Sequence, residues 1–263
     1  MSESKTCISC QQEVIGKYCH HCGQKSGIVR LSWGSMFNDL QQHIFAFDNK
    51  YFRTIIDLTL RPGKVIQSIL DGVRVIYIGP VGFYFLMLTT YLLLASFLDI
   101  DLGRIMAETG ESINNEPQTE NQQALNNEVF STITNNFRIF SFITVPFFVL
   151  GNFLFFRRAK MNFVEHSVVV FYALAWPFVI SCFFLFVFKL FDYWPGAWSS
   201  LIVVVYFAWV CASFYAKNKV LGFIKGIFSV LFSYLIMIII FVLSYFVYLL
   251  LNPELLKQFA PKT

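Results

Sequence analysis

The sequence predicts an all-α polytopic membrane protein with five transmembrane helices, a small N-terminal four-cysteine zinc ribbon and amphipathic juxtamembrane helices. Hydrophobic residues make up 56% of the chain and charged residues only 14%, whereas soluble domains carry about 25% charged residues. A soluble protein of 263 residues could not cover that much apolar surface. The apolar residues are concentrated in five long uncharged runs, and four of the six cysteines lie before residue 23. These observations together carry the prediction of the fold class.

The clustered cysteines form two Cys-x2-Cys pairs. Cys7 and Cys10 make the first pair, Cys19 and Cys22 make the second, and eight residues separate the pairs. Two such pairs supply four thiolates in a tetrahedron, which suits structural Zn²⁺ and leaves no open position for a catalytic water. The segment is too short for a hydrophobic core, so the free energy of zinc binding would be its folding free energy.

Residues beside the cysteines bear on the same prediction. Gly23 directly follows the second pair, where a knuckle often needs a positive φ. His20 or His21 could replace one cysteine as a ligand, and the two pairs could instead form a redox dithiol or be incidental. Free thiols need a reducing compartment, so this end of the chain is predicted to be cytosolic.

Three short amphipathic helices are predicted between the ribbon and the first apolar run. The first carries an apolar stripe that begins at Trp33, and the second ends at Leu60. Pro62 and Gly63 separate the second helix from the third, because proline lacks an amide donor but fits the first turn of a helix. Gly72 stops the third helix. The three helices lie in the membrane interface or cap the cytosolic face of the bundle, and both descriptions can hold at once.

Two arginines flank the third of these helices. Arg61 and Arg74 could reach lipid phosphates, where each basic residue contributes about 1 kcal/mol near an anionic surface. Alternatively they pair with Asp57 and Asp71, which would make them structural.

A pattern of residues continues from the ribbon to the first apolar run. The ribbon, CISC and YCHHCGQ, is followed by a leucine before an Arg-Pro-Gly turn, then by Gly-x-Arg, and then by a tyrosine and a proline. The residues after the ribbon are Leu58 or Leu60, Arg61, Pro62, Gly63, Gly72, Arg74, Tyr77 and Pro80. This combination resembles a bacterial membrane-protein family of unknown function over about the first hundred residues. The resemblance implies a membrane location but no activity, because the family has none assigned.

Five runs are long enough to cross a bilayer, whose hydrocarbon core needs about 20 residues of helix. The runs are Pro80–Leu98, Ile139–Phe156, Ser167–Phe188, Trp198–Ala216 and Ile227–Leu251.

Lysine and arginine in the connections predict the orientation. Residues 1–79 hold nine basic residues, and further basic clusters follow the second and fourth runs at 157–160 and 217–225. Residues 99–137 hold seven acidic residues and only Arg104. The chain is therefore predicted to have its N-terminus in the cytosol and its C-terminus outside, and the resemblance implies that the membrane is the bacterial inner membrane.

The predicted domains follow from these boundaries. They are a cytosolic zinc ribbon at 1–27, amphipathic interfacial helices at 28–79, a five-span bundle at 80–251 with an acidic external loop at 99–137, and a short external tail at 252–263.

No catalytic residue is predicted. The five runs contain no Lys, Arg, Asp, Glu or His, whereas pumps and ion-coupled carriers usually place ionisable groups inside the membrane. Glu165 and His166 stand at the entry to the third run, as a salt-bridged or snorkelling interface pair or as an acid–base pair. Cys182 and Cys211 are predicted to be ordinary apolar packing.

Two classes of function fit this sequence. The first is a non-enzymatic integral membrane adaptor or assembly protein, whose cytosolic ribbon and interfacial helices contact lipid or a protein partner. The second is a transporter or lipid-handling protein with an apolar, aromatic-lined ligand site. An enzyme is less favoured, no nucleic-acid partner is expected, and the oligomeric state is left open.

Overall fold

The computed structural model describes residues 5–24, 50–105, 131–194 and 197–251. The predicted helix at Trp33, residues 106–130 of the acidic loop and the tail at 252–263 lie outside the described residues.

The described part of the chain is helical apart from the ribbon, which confirms the predicted fold class. The strands β1 and β2 pair antiparallel, with Lys5 opposite Val14. The elements are β1 Lys5–Thr6, β2 Glu13–Val14, α1 Lys50–Leu60, α2 Pro62–Leu70, α3 Pro80–Phe97, α4 Phe137–Phe155, a 3-10 turn Arg157–Ala159, α5 Phe163–Ala175, α6 Pro177–Phe191, α7 Ala197–Tyr215 and α8 Lys219–Leu251.

Five helical segments are long and apolar enough to span a membrane, as predicted. They are Pro80–Phe97, Phe137–Phe155, Phe163–Phe191, Trp198–Tyr215 and Lys219–Ser244. The third segment consists of α5 and α6, which meet at Pro177 because proline has no amide hydrogen to continue the helix.

The third segment begins four residues earlier than the uncharged run predicts. Asn162 Oδ1 accepts a hydrogen bond from the Glu165 backbone N–H at 2.7 Å, and Glu165 Oε2 accepts one from the Asn162 N–H at 2.8 Å. This capping box satisfies two free amide groups at the start of α5 and fixes the helix start at Phe163. His166 therefore lies inside the helix and is fully buried.

The two basic connections lie at the same end of the bundle. The Tyr215 ring at the end of α7 stacks on Phe156, with centroids 4.3 Å apart, and on His166 near the start of α5, at 5.5 Å. The connections at 157–160 and 217–218 are thereby brought together, and we call this the basic end. At the opposite end, the Arg104 guanidinium pairs with the Asp192 carboxylate at 3.1 Å.

Small residues let α7 and α8 approach closely. A Cβ added at Gly226 would lie 2.6 Å from Ala208 Cα, and one added at Gly222 would lie 2.9 Å from Ala212 Cα. Gly222 and Gly226 form a Gly-x3-Gly pattern, which is typical of tight helix contacts in membranes.

The helices α1 and α2 form a hairpin that packs against the spanning helices. The Tyr206 hydroxyl donates to the Leu58 carbonyl at 3.1 Å, and Tyr206 lies at the middle of α7. The Tyr172 hydroxyl of α5 likewise donates to the Ile78 carbonyl, just after the hairpin. The hairpin therefore reaches past the basic end along the spanning helices, deeper than a helix that lies flat across that end.

Apolar residues lie on both faces of α1, and its buried polar residues all face the bundle. Phe52, Ile56 and Leu60 are exposed, whereas Leu58 is buried against the bundle together with Thr54 and Asp57. This orientation suits a helix beside lipid, because polar groups in a membrane face the protein interior and apolar groups face the acyl chains.

Candidate functional site

The two cysteine pairs fold into two equivalent turns. The Cys7 N–H donates to the Gln12 carbonyl at 2.8 Å, and the Cys19 N–H donates to the Gln24 carbonyl at 2.7 Å. The residue after each pair has a positive φ, +62° at Gln11 and +71° at Gly23. The positive φ predicted for Gly23 is confirmed, and Gln11 holds the same geometry with a side chain present.

The four thiols converge as a metal site requires. All four Sγ atoms lie within 4.8 Å of one another. Cys7 and Cys22 Sγ are 3.5 Å apart, and Cys10 and Cys19 Sγ are 3.6 Å apart. Four sulfurs at about 2.3 Å from a tetrahedral ion would be about 3.8 Å apart, so the donor set fits such an ion with little movement.

Backbone amides prepare two of these thiols as ligands. N–H groups of Cys10 and Ser9 lower the pKa of Cys7 to about 6, although burial opposes this effect. N–H groups of Cys22 and His21 lower the pKa of Cys19 in the same way. A lower pKa favours the thiolate, which is the form that binds metal.

The ribbon buries its cysteines and exposes apolar side chains. Its buried hydrophobic residues are Cys7, Val14 and Cys19. Ile15 and Tyr18 are 86% and 62% exposed, and no described residue covers them. With so little apolar core, this segment would depend on a bound metal for its fold.

Gln24 joins the ribbon to the end of the hairpin. Its side-chain Nε2 donates to the Gly72 carbonyl at 2.7 Å, and its Oε1 accepts from the Arg74 N–H at 3.3 Å. Gly72 has a φ of +89° and ends the third short helix as predicted. The turn that holds the second cysteine pair is therefore docked on the segment that leads into α3.

Asp57 joins α1 to the Arg-Pro-Gly turn and to Tyr77, which follows the hairpin. Its carboxylate accepts from the Tyr77 hydroxyl at 2.8 Å and pairs with the Arg61 guanidinium at 2.9 Å. Burial raises the pKa of Asp57, but these two donors outweigh it and hold the pKa below its ordinary value. Burial and the neighbouring carboxylate raise the pKa of Tyr77 to about 12. Arg61 thus makes the predicted pair with Asp57, whereas Asp71 accepts from the Gln67 side chain.

The Arg-Pro-Gly turn interrupts the backbone hydrogen bonds between α1 and α2. Side chains of α7 bond the two backbone groups that the turn leaves without a helical partner. Pro62 has no N–H to donate to the Leu58 carbonyl, and the Tyr206 hydroxyl donates there instead. The Gly63 N–H donates to Ser213 Oγ at 3.1 Å. A buried backbone group without a partner costs about 1–3 kcal/mol, so these two bonds fasten the turn to α7.

An aromatic pair holds the end of α1 from the side. The Trp176 indole stacks on the Tyr206 ring, with centroids 4.1 Å apart. The indole Nε1 donates to Thr59 Oγ1 at 2.7 Å. The break between α5 and α6 at Trp176 thus also serves as a contact for the hairpin.

Buried polar side chains lie inside the bundle near the basic end. His166 Nδ1 and the Tyr215 hydroxyl are 2.8 Å apart, and the Asn152 side chain lies beside that hydroxyl. His166 Nε2, both polar atoms of the Asn152 side chain and Ser229 Oγ are buried without a hydrogen-bond partner among the described residues. Such a set of donors and acceptors suits bound water in an otherwise apolar interior.

The structure brings the predicted site residues into two groups. The cysteines form one group, and Arg61, Tyr77 and the Pro62–Gly63 turn form the other; Pro80 begins α3. Trp33 is outside the described residues. Sequence reasoning missed Gln24, although its place in the repeated Cys-x2-Cys-x-Gln pattern was visible.

Part of the chain matches a described protein family. The model of a family described as protein of unknown function (DUF3667) matches residues 48–92, which contain α1, α2 and most of α3. The chain is similar to that family over the hairpin, whereas the ribbon lies outside the matched residues. No curated protein and no solved structure matches the chain.

Proposed function

We propose that this protein is a non-enzymatic membrane adaptor, in which a zinc-organised ribbon presents an apolar surface to a protein partner. The observation that carries the proposal is a ribbon whose four thiols converge while Ile15 and Tyr18 point into solvent. Exposed aromatic and aliphatic side chains are the usual anchors of protein interfaces.

Zinc is the proposed metal because four cysteines with no vacant position are the usual ligands of a structural zinc site. Its role here is to hold the two turns together, so that the apolar side chains between them keep a fixed arrangement. The predicted cytosolic placement supports this assignment, since the cytosol keeps thiols reduced.

Docking through Gln24 connects the ribbon to the membrane part of the protein. Because Gln24 also lies in the turn of the second cysteine pair, loss of metal would loosen its bonds to Gly72 and Arg74. The ribbon would thus be held at a defined place beside the basic end rather than tethered loosely. The basic connections favour a location of that end in the cytosol, at a bacterial inner membrane.

The proposal is tested by chemical cross-linking in intact cells followed by purification of the full chain. Replacing both Ile15 and Tyr18 by Ser should abolish a cross-linked partner that the parent retains. Glu13→Gln, an exposed change on the same ribbon, is the matched control and should retain the partner. Zinc content should be unchanged in all three proteins. An identical set of cross-linked proteins in the parent and the double variant would overturn the proposal.

A further inference from the structure

A groove lies between the Arg-Pro-Gly turn and the ends of α7 and α8 that meet at the basic end. Its volume is about 470 Å³. The walls are largely apolar, with Leu60 from the hairpin, Trp209 from α7, and Phe223 and Ile224 from α8. Leu60 and Ile224 are also exposed on the outer surface of the bundle, so the groove is continuous with the face that meets lipid.

Two basic side chains, Arg61 and Lys219, line this groove, and none of the described residues that line it is acidic. Arg61 uses one edge of its guanidinium for Asp57, and its side chain remains 56% exposed. Lys219 is exposed and is the first residue of the long apolar helix α8. The end of an apolar helix is where phospholipid headgroups lie in a bilayer.

From this arrangement we propose that the groove binds one acidic phospholipid. Lys219 and the outer edge of Arg61 hold the headgroup phosphate, and an acyl chain lies along Trp209, Phe223 and Ile224. The ligand joins α1, α7 and α8, and it would hold the hairpin against the bundle. The inference is independent of the metal site and of any protein partner.

The apolar walls decide between a lipid and a free anion. A free phosphate would gain nothing from Trp209 or Phe223, whereas an acyl chain would bury apolar surface against them. The basic pair adds a preference for acidic over zwitterionic headgroups, by about fivefold for each cation near the membrane surface.

The test uses the full chain reconstituted in bilayers and the fluorescence of Trp209. Dibrominated phosphatidylglycerol or dibrominated phosphatidylcholine is added as the quencher, and the quenching that disappears in Trp209→Phe is assigned to the groove. We expect phosphatidylglycerol to quench this component at a several-fold lower mole fraction than phosphatidylcholine.

Substitutions then locate the effect. Lys219→Gln should reduce the preference for phosphatidylglycerol about fivefold, whereas Lys217→Gln, an exposed lysine at the same end but outside the groove, should leave it unchanged. Arg61→Lys keeps the charge beside Asp57 but lacks the second guanidinium edge, so it should reduce the preference for phosphatidylglycerol.

Three results would overturn the proposal. They are equal quenching by both lipids, an equal loss in Lys217→Gln and Lys219→Gln, and displacement of phosphatidylglycerol by excess inorganic phosphate. The last would identify a free-anion site instead of a lipid site.

Discussion

Replacing Gly63 by Ala tests how closely the Arg-Pro-Gly turn approaches α7. The new Cβ would lie 2.6 Å from the Ser213 carbonyl oxygen and 2.9 Å from the Ser213 carbonyl carbon. Both are backbone atoms, so no side-chain rotation relieves the contact. The turn would have to move away from α7 and would lengthen the 3.1 Å bond from the Gly63 N–H to Ser213 Oγ.

The expected cost follows from three contributions. Overpacking costs about 1–3 kcal/mol, and the weakened hydrogen bond adds about 0.5–1.5 kcal/mol. The better helix propensity of alanine returns about 0.5–1 kcal/mol. The net destabilisation is about 2 kcal/mol, which lowers the Tm by roughly 4–8 °C in a protein of this size.

The assay is thermal unfolding of the purified full chain in detergent. Gly79→Ala is the matched control, because nothing lies within 4 Å of its added Cβ and its φ of −57° is open to alanine. We expect the control to stay within about 0.5 kcal/mol of the parent. A Gly63→Ala protein as stable as the parent would refute the close contact between the hairpin and α7.

Three further predictions concern the ribbon and the hairpin. Replacing Cys7 and Cys10 by Ser should remove about one zinc per chain, measured by elemental mass spectrometry, and a purified parent with intact thiols and no metal would refute the zinc assignment. Gln11→Gly should strengthen zinc binding, because it relieves a left-handed backbone conformation that costs about 1 kcal/mol, whereas Gly23→Ala should weaken it. Zinc affinity is measured by competition with a chelator, and equal affinities in the parent and both variants would contradict the paired turns. Asp57→Asn should lower the Tm by a constant amount throughout about pH 5–9, because a depressed pKa places the loss of the Asp57 contribution below the ordinary pKa of 3.8. A parent contribution lost between about pH 7 and pH 5 would contradict that assignment.

Local patterns explain what the sequence could predict. The repeated cysteine spacing encodes the thiol cluster directly, because a Cys-x2-Cys turn needs only neighbouring residues. The five spans follow from length and hydropathy, since a bilayer sets both. Pro62 and Gly72 marked the bounds of α2 correctly because their backbone restrictions act locally.

The orientation of α1 could not be predicted in the same way. Of its apolar residues Phe52, Ile55, Ile56 and Leu60, only Ile55 packs on the core, while the other three are exposed and Leu58, Thr54 and Asp57 face the bundle. Only the contacts of Asp57 with Tyr77 and of Leu58 with Tyr206 show which face of α1 packs on the rest of the protein.

The start of α5 was available in the sequence and was missed. Asn162 and Glu165 have the spacing of a capping box. The predicted span nevertheless began at Ser167, because its boundary was placed at the end of the charged residues. The same boundary left His166 outside the helix, whereas it lies within α5, buried beside Tyr215.

Photo-cross-linking from the ribbon tests the proposed function most directly. A benzophenone amino acid is placed at Ile15 of the full chain in living cells, and its products are identified with and without the Cys7→Ser and Cys10→Ser substitutions. We expect a discrete protein adduct in the zinc-containing chain and its loss when the two cysteines are replaced, with the chain still present in the membrane. The same adduct in both chains would contradict a zinc-organised interaction surface.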